Sequence, residues 1–337
     1  MNTPIDFAAM TRWLRACRRP LLLSHQRPDG DALGAMAGLA RLLRAWDQEP
    51  TAALYDPLPA RYRFMEPLEA WVYWRAGEPS RLDAHDAVVI VDTCAAAQLE
   101  PVIAHVAGGP RVLVVDHHVT RDALADRAAD LCCIDETAGA TCLLLTEWAL
   151  ATGLRIDAAV ATPLFIGLAT DTGWFKYSNA DARALAAASV LVGAGANPCA
   201  LYDQLYQQEP APKLHLIGRM LAGMDLLAGG RLAVLSLRIG DFQAVGADQS
   251  MTEDLVNEVH RLAGHDATIL FTEQPDGRIR VNFRSKQLLD CAALAQRFGG
   301  GGHVRAAGAR ASGNWSDATR TIVNAAVEML KAAEQQH

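Results

Sequence analysis

Residues 111–118 read Arg-Val-Leu-Val-Val-Asp-His-His: an apolar run of strand length (RVLVV) that passes directly into an acid and two imidazoles. A continuous apolar run, without a polar residue at every second position, suits a strand buried on both faces of a parallel sheet. Two other stretches have the same grammar. Pro20 to Ser24 (PLLLS) runs into His25, with Asp29 and Asp31 following in HQRPDGD, and Ala87 to Val91 (AVVIV) runs into Asp92. Residues 31–46 carry Leu33, Met36, Ala37, Leu39, Ala40, Leu42 and Leu43 at helical spacing, and further helices are predicted over 138–152, 157–169 and 181–193. Strands alternating with helices predict an α/β protein whose N-terminal sheet is open, mostly parallel and flanked by helices.

In such sheets ligands lie outside the carboxyl ends of the strands, so the polar residues that end these runs converge on one crevice. A fourth acid, Asp171, follows the helix 157–169 in ATDTGWF. A single Asp after a strand is ordinarily a helix cap or a turn former. Asp29-Gly30-Asp31 alone fits a turn, and its spacing fails an EF-hand. The four clusters together point to a metal site. So many carboxylates in one place repel each other, and two divalent cations match their charge. Mixed carboxylate and imidazole ligation suits manganese over calcium. Two such ions activate water for attack at phosphorus and take up charge from phosphoryl oxygens.

The second half reads differently. Gly193, Gly195, Asn197 and Pro198, then QQEPAP at 207–212, are breakers around a short helical piece. A strand follows at 231–237, a helix at 252–263, a hairpin of 267–272 with 278–285 around Pro275-Asp276-Gly277, and a helix from about 316. This predicts a metal-binding domain over 1–195, a linker with a helical segment over 196–225, and a smaller α/β domain over 226–335 across a cleft. Arg284, Ser285 and Lys286 end a predicted strand, and Gly299, Gly300, Gly301 and Gly302 precede His303 and Arg305. Consecutive glycines let backbone N–H groups cradle an anion, and arginine grips phosphate in a planar fork. The plainer reading is a flexible loop beside a solvated strand end. A metal site with a separate anion clamp implies a phosphate ester spanning two domains.

The chain has 337 residues, 51% hydrophobic and 20% charged, with a net charge of −7. That composition excludes a disordered chain and a protein coating long nucleic acid through a basic surface. No apolar run approaches the ~18 residues of a spanning helix, and Leu21 to Leu23 is too short for a signal-peptide core. Seven scattered cysteines without a CxxC pair read as reduced thiols of a soluble cytoplasmic protein. Cys132, Cys133 and Cys142, with histidines 85, 105, 215, 260, 265 and 337, read as packing residues.

In chain order, HQRPDGDALG (25–34), VDT (91–93), DHH (116–118), ATDTGWFKYSN (169–179), RSK (284–286) and GGGGHVRAAGA (299–309) resemble the motifs of the DHH phosphoesterase family. The resemblance is to its two-domain form with a DHH-associated C-terminal domain, in the nanoRNase and pAp phosphatase branch, and covers about residues 10–325. It implies that His25, Asp29 and Asp92 hold one manganese ion, and that Asp31, Asp92, His117 and Asp171 hold another. It makes Asp116 an orienting acid, faces His118 to the scissile phosphate, and has Arg284, Ser285, the glycine loop and His303 grip a distal phosphate. The implied activity is hydrolysis of short single-stranded oligoribonucleotides to mononucleotides, and removal of the 3′-phosphate from adenosine 3′,5′-bisphosphate (pAp). Relatives imply a homodimer. Gly34-Ala35, where relatives often carry Gly-Ser, and the stretch after His118 depart from the pattern, which bears on substrate preference. Competing readings are hydrolysis of cyclic di-AMP or pApA, and a nucleotide-binding regulator without catalysis. All the implied ligands are present, which argues against the latter.

Overall fold

The computed structural model describes residues 5–74, 84–100, 102–119, 122–252 and 254–334. His337, the side chain of His105, and Thr120-Arg121 in the stretch after His118 lie outside the described residues. The chain divides into two units, Met1–Gln208 and Glu209–His337.

The first unit runs α1 (Phe7–Arg15), β1 (Pro20–Leu23), α2 (Gly30–Arg44), β2 (Thr51–Leu54), β3 (Val72–Tyr73), β4 (Ala87–Val91), α3 (Ile103–Gly108), β5 (Arg111–Asp116) and β6 (Leu131–Ile134). It continues with α4 (Thr141–Ala151), α5 (Ala158–Asp171), α6 (Ala182–Gly193) and α7 (Pro198–Tyr206). Its strands form one sheet in the order β3-β2-β1-β4-β5-β6, all neighbours parallel. The apolar runs are continuous because both faces are covered. Leu22, Val89, Val91, Leu113 and Val115 pack into one core, with residues of α2, α4 and α5. Leu21, Leu23, Val88, Ile90, Val112 and Val114 pack into the other, with Leu99, Val102 and Val106.

The strand order reverses between β1 and β4, and at such a switch point a crevice opens at the carboxyl ends. Helix α2 starts there, capped by Asp29, and is buried along almost its whole length. It lies against α5 so closely that a Cβ on Gly34 would fall inside van der Waals contact of the Pro163 carbonyl oxygen. This crossing sets the start of α2 beside the end of α5.

The second unit comprises α8 (Ala211–Ala222), β7 (Asp225–Leu227), β8 (Leu232–Leu237), α9 (Ile239–Val245), β9 (Ala267–Glu273), β10 (Ile279–Ser285), α10 (Cys291–Gln296), β11 (Gly301–His303), β12 (Ala306–Ala311) and α11 (Trp315–Glu334). Its sheet order is β11-β12-β10-β9-β8-β7, antiparallel except between β8 and β9. Residues of α10 and α11 cover one face and those of α8 and α9 the other. The α/β class and the parallel N-terminal sheet agree with the sequence reading.

Several expectations are corrected. The helix over 252–263 is two 3₁₀ turns, Gln249–Thr252 and Leu255–Arg261, with Asp254 left-handed at φ 63° between them. The stretch 196–225 is absorbed into both units: Leu201 and Leu205 of α7 join the first core, while Leu216 and Met220 of α8 join a core of the second. Cys133, Cys142 and His265 are buried as expected of packing residues, whereas Cys132 and His215 are exposed. No single described helix is long and apolar enough to cross a membrane; α6 with α7, bent by 107°, passes as a pair by length and composition only.

Candidate metal centre

The switch point is built from residues far apart in the chain. Ser24 Oγ donates to Val91 O at 2.8 Å, fastening the end of β1 to that of β4. Asp92 follows, buried and left-handed at φ 60°, a conformation that Asp tolerates better than most residues. Its N–H donates to Val115 O of β5 at 3.0 Å, which sets it beside Asp116 and His117. Asp29 Oδ1 accepts from the N–H groups of Asp31 and Ala32 at 2.9 and 3.1 Å, a helix cap.

Asp92 lies at the middle. His25 Nε2 is 3.6 Å from its Oδ2, and His117 Nε2 is 3.5 Å from its Oδ1. His117 Nε2 is also 3.5 Å from Asp171 Oδ2 and 3.9 Å from Asp31 Oδ2. Among the described residues, three sets of potential ligand atoms each lie within 4.8 Å of one another: His25, Asp29 and Asp92; Asp31, His117 and Asp171; and Asp92, Asp116, His117 and His118.

The two inner imidazoles share one arrangement. His25 Nδ1 is 2.9 Å from Gln26 O, and His117 Nδ1 is 3.1 Å from Ala138 O. A carbonyl can only accept, so Nδ1 donates to it and Nε2 faces the carboxylates, where the neutral ring would offer a cation its lone pair. His117 Nε2 is buried with no hydrogen-bond partner, as is Asp116 Oδ2. Orphaned buried polar atoms are rare, and a cation held here would give His117 Nε2 its partner. Asp116 Oδ1 accepts from the N–H groups of His117 and His118 at 2.8 and 3.2 Å and from His118 Nδ1 at 2.8 Å, leaving half-exposed His118 held by its Nδ1 side. The oxygen and imidazole donor set fits a divalent transition metal.

Sequence reasoning missed the residues behind this set. Helix α4 begins at Thr141, and its first N–H groups, unpaired within the helix, meet Asp31: Thr141 N at 2.6 Å from Oδ2 and Cys142 N at 3.0 Å from Oδ1. Thr141 Oγ1 donates to Asp92 Oδ1 at 3.1 Å. No motif marks Thr141 or the Ala138 carbonyl.

The charges are mutually dependent. Burial, then Asp92 and Asp171, push the Asp31 carboxyl well up. Burial likewise lifts Asp171 to about 6, against the pull of His117 and with the push of Asp92. Burial alone would lower His25 and His117, yet the Asp92 carboxylate, joined at His117 by Asp31 and Asp171, raises them to about 9 and about 10. Asp92, despite burial, is held below the usual carboxylate range by the two imidazoles. In the metal-free chain protons on the imidazoles thus hold the place of cations.

In the second unit the expected clamp residues differ in kind. Ser285 is buried, its Oγ 3.1 Å from Asp266 Oδ2, and Asp266 accepts the N–H groups of Gln287, Leu288 and Leu289. This corrects Ser285 from a phosphate donor to a brace of the turn. Arg284 is half-buried, while Lys286, His303 and Arg305 are exposed. Lys286 Nζ reaches Leu262 O at 3.1 Å, and Arg305 donates to Gln287 O. The glycine run is only partly a loop: Gly299 and Gly300 turn the chain, and Gly301 and Gly302 enter β11, the outermost strand. Gly302 has φ 141°, and a Cβ there would meet Ala306 O and Ala307, so only glycine fits.

The DHH family N-terminal domain matches residues 21–168 and the DHHA1 domain residues 230–335. The bifunctional oligoribonuclease and PAP phosphatase NrnA of Thermus thermophilus is 28% identical over 330 residues, 95% of this chain and 93% of its own. Its namesake from Bacillus subtilis is 26% identical over 311 residues, 90% and 92% of the two chains. The crystal structure of an exopolyphosphatase-related protein from Bacteroides fragilis shares the fold, with a TM-score of 0.87 at 21% identity, covering 99% of this chain and 100% of that one. With both domains in order and full-length relatives of the same build, the chain belongs to the DHH phosphoesterase family, in the form that carries a DHHA1 domain.

Proposed function

We propose that this protein is a manganese-dependent phosphoesterase that hydrolyses short oligoribonucleotides to mononucleotides and removes the 3′-phosphate from pAp. The observation that carries the reading is the overlap of ligand sets at Asp92, beside a His117 Nε2 that is buried and unpartnered. The names of the full-length relatives support the substrates. His25, Asp29 and Asp92 would hold one cation; Asp31, Asp92, His117 and Asp171 would hold the other. When bound, the ions lower the pKa of water and draw charge from the phosphoryl oxygens. His118, whose pKa Asp116 raises through their hydrogen bond, has Nε2 left to donate to a phosphoryl oxygen. Arg284, Lys286, His303 and Arg305, with the backbone of Gly299 to Gly302, would bind a further phosphate of the substrate, on a turn braced by Ser285. The first unit is then the catalytic domain and the second the substrate-binding domain. The scattered cysteines, with no CxxC pair among them, support residence in the reducing cytoplasm.

The test is turnover, with manganese or EDTA, of pAp, pApA, cyclic di-AMP, a five-nucleotide RNA, a twenty-four-nucleotide RNA and pyrophosphate. Manganese-dependent activity confined to pAp and the short linear RNAs is expected. Asp92→Asn should lower kcat/KM about a thousandfold, ~4 kcal/mol of transition-state stabilisation. Preferential hydrolysis of cyclic di-AMP or pyrophosphate would overturn the substrate assignment, and silence on every substrate would favour a binding role.

A further inference from the structure

Asp92 and two of the side chains that meet it, Asp31 and His117, lean on one stretch of chain, residues 138–142. Ala138 O receives His117 Nδ1–H at 3.1 Å, Thr141 N and Cys142 N donate to Asp31 at 2.6 and 3.0 Å, and Thr141 Oγ1 donates to Asp92 at 3.1 Å. Asn179 fastens this run from outside. Its Nδ2 donates to Gly139 O and to Asp171 O, both at 3.1 Å. One amide nitrogen therefore spends one hydrogen on the run that orients His117, Asp31 and Asp92, and the other on the backbone of Asp171. The orientation of the amide is forced, because the reverse would set its oxygen against two carbonyl oxygens.

The packing behind the bridge leaves no slack. A Cβ on Gly139 would lie 2.5 Å from the Asn179 carbonyl oxygen. Arg183 holds the approach to the same run: Nη1 donates to Asp135 Oδ2 at 3.0 Å and to Thr137 Oγ1 at 3.1 Å, while Nε and Nη2 grip Glu147 of α4 at 3.0 and 2.8 Å. With the run thus immobilised, a displacement of Asn179 moves Asp171 relative to the other three carboxylate and imidazole groups.

We propose that Asn179 is a positioning residue for cation binding, setting the separation between Asp171 and the group formed by Asp31, Asp92 and His117. The proposal rests on the metal-dependent reading above. Its chemistry is that of an outer hydrogen bond that fixes the spacing of ligands, and loss of such a bond costs roughly 10- to 100-fold in metal affinity. Asn179→Asp nearly preserves shape but cannot donate to two carbonyls.

The experiment counts manganese bound to the full-length protein by equilibrium dialysis, with free aqueous manganese read by electron paramagnetic resonance. Wild type, Asn179→Asp and Val160→Ala are compared, the last a core truncation on α5 away from the centre. Expected are two ions per wild-type chain, a roughly 10- to 100-fold loss of affinity for one of them in Asn179→Asp, and wild-type affinity in Val160→Ala even where its Tm falls. At fixed manganese, kcat on pAp should fall in Asn179→Asp while KM stays. Asn179→Ser removes the bridge without adding a charge and is read in the same way should the aspartate variant not fold. Wild-type affinity and kcat in a folded Asn179 variant would overturn the positioning role alone, as would failure of both variants to fold, which would make the residue a support of the fold. Absence of manganese binding by wild type would overturn the reading beneath it and this proposal together.

Discussion

At neutral pH the metal-free chain keeps a proton on each of His25 and His117, whose pKa values are raised from 6.5 to about 9 and about 10. A cation needs the neutral ring, so each imidazole must release its proton on binding. Manganese uptake at pH 7 should therefore expel close to two protons per chain from these imidazoles, besides any held by the raised Asp31 carboxyl, and the imidazole share should fall towards zero as pH passes through about 9 to 10. Affinity should rise with pH over the same window. Calorimetric titration in two buffers of different ionisation enthalpy measures this, and zero proton release at pH 7 would contradict it. Because both pKa values are raised on folding, their contribution to metal-free stability is complete below pH 6.5 and disappears as pH rises through about 9 to 10. These histidines are legible in the sequence because each follows a strand end, where geometry confines a side chain to the crevice. The Ala138 carbonyl is not, since a backbone acceptor has no letter of its own. Ser285 misleads for another reason: a strand end fixes a position but not a face. Alternation puts Val281, Phe283 and Ser285 on the buried side of β10 and Arg284 on the other.

The crossing of α2 and α5 makes a further expectation at the scale of elements. Gly34→Ala forces a methyl group against the Pro163 carbonyl and should cost about 2–3 kcal/mol, read as a lower urea midpoint. Gly218→Ala, in α8 with nothing within 4 Å of the added Cβ, should instead stabilise by about 0.4–1 kcal/mol through the unfolded chain. Equal effects of the two substitutions would show that the close approach does not govern α2. Helical periodicity reveals α2 and α5 but not their closeness, because Gly34 reads in isolation as a weak point of a helix. The opposite error occurs at 252–263, where apolar spacing imitates an α-helix. Leu255, Val256 and Val259 are indeed buried, yet left-handed Asp254 separates two short 3₁₀ turns. Strands β2, β3 and β6 escaped notice because each has at most four residues and none forms an aliphatic block.

For the molecule as a whole, every proposed ligand lies in the first unit, and each unit has its own cores. Manganese binding should therefore stabilise one unit directly, by about 2.7 kcal/mol at a hundred times Kd. Scanning calorimetry with and without EDTA should show one transition raised by manganese and the other in place. A single transition moving as one would mean that the units unfold together. Domain count was readable from the change of grammar after residue 193. The position of the break was not, because QQEPAP marks an interruption without saying which helix belongs to which core. The parallel order, reversing between β1 and β4, has a bearing on biosynthesis as well. His25 and Asp171 are about 150 residues apart, so a ribosome working at 5–20 residues per second emits the first on the order of ten to thirty seconds before the second. Through that interval the nascent chain carries first Asp29 and Asp31, then Asp92 as well, without the fourth proposed carboxylate. The proposed site that needs Asp171 can close only after α5 has emerged and folded back on α2, which makes its loading with metal a late event in the maturation of the first unit.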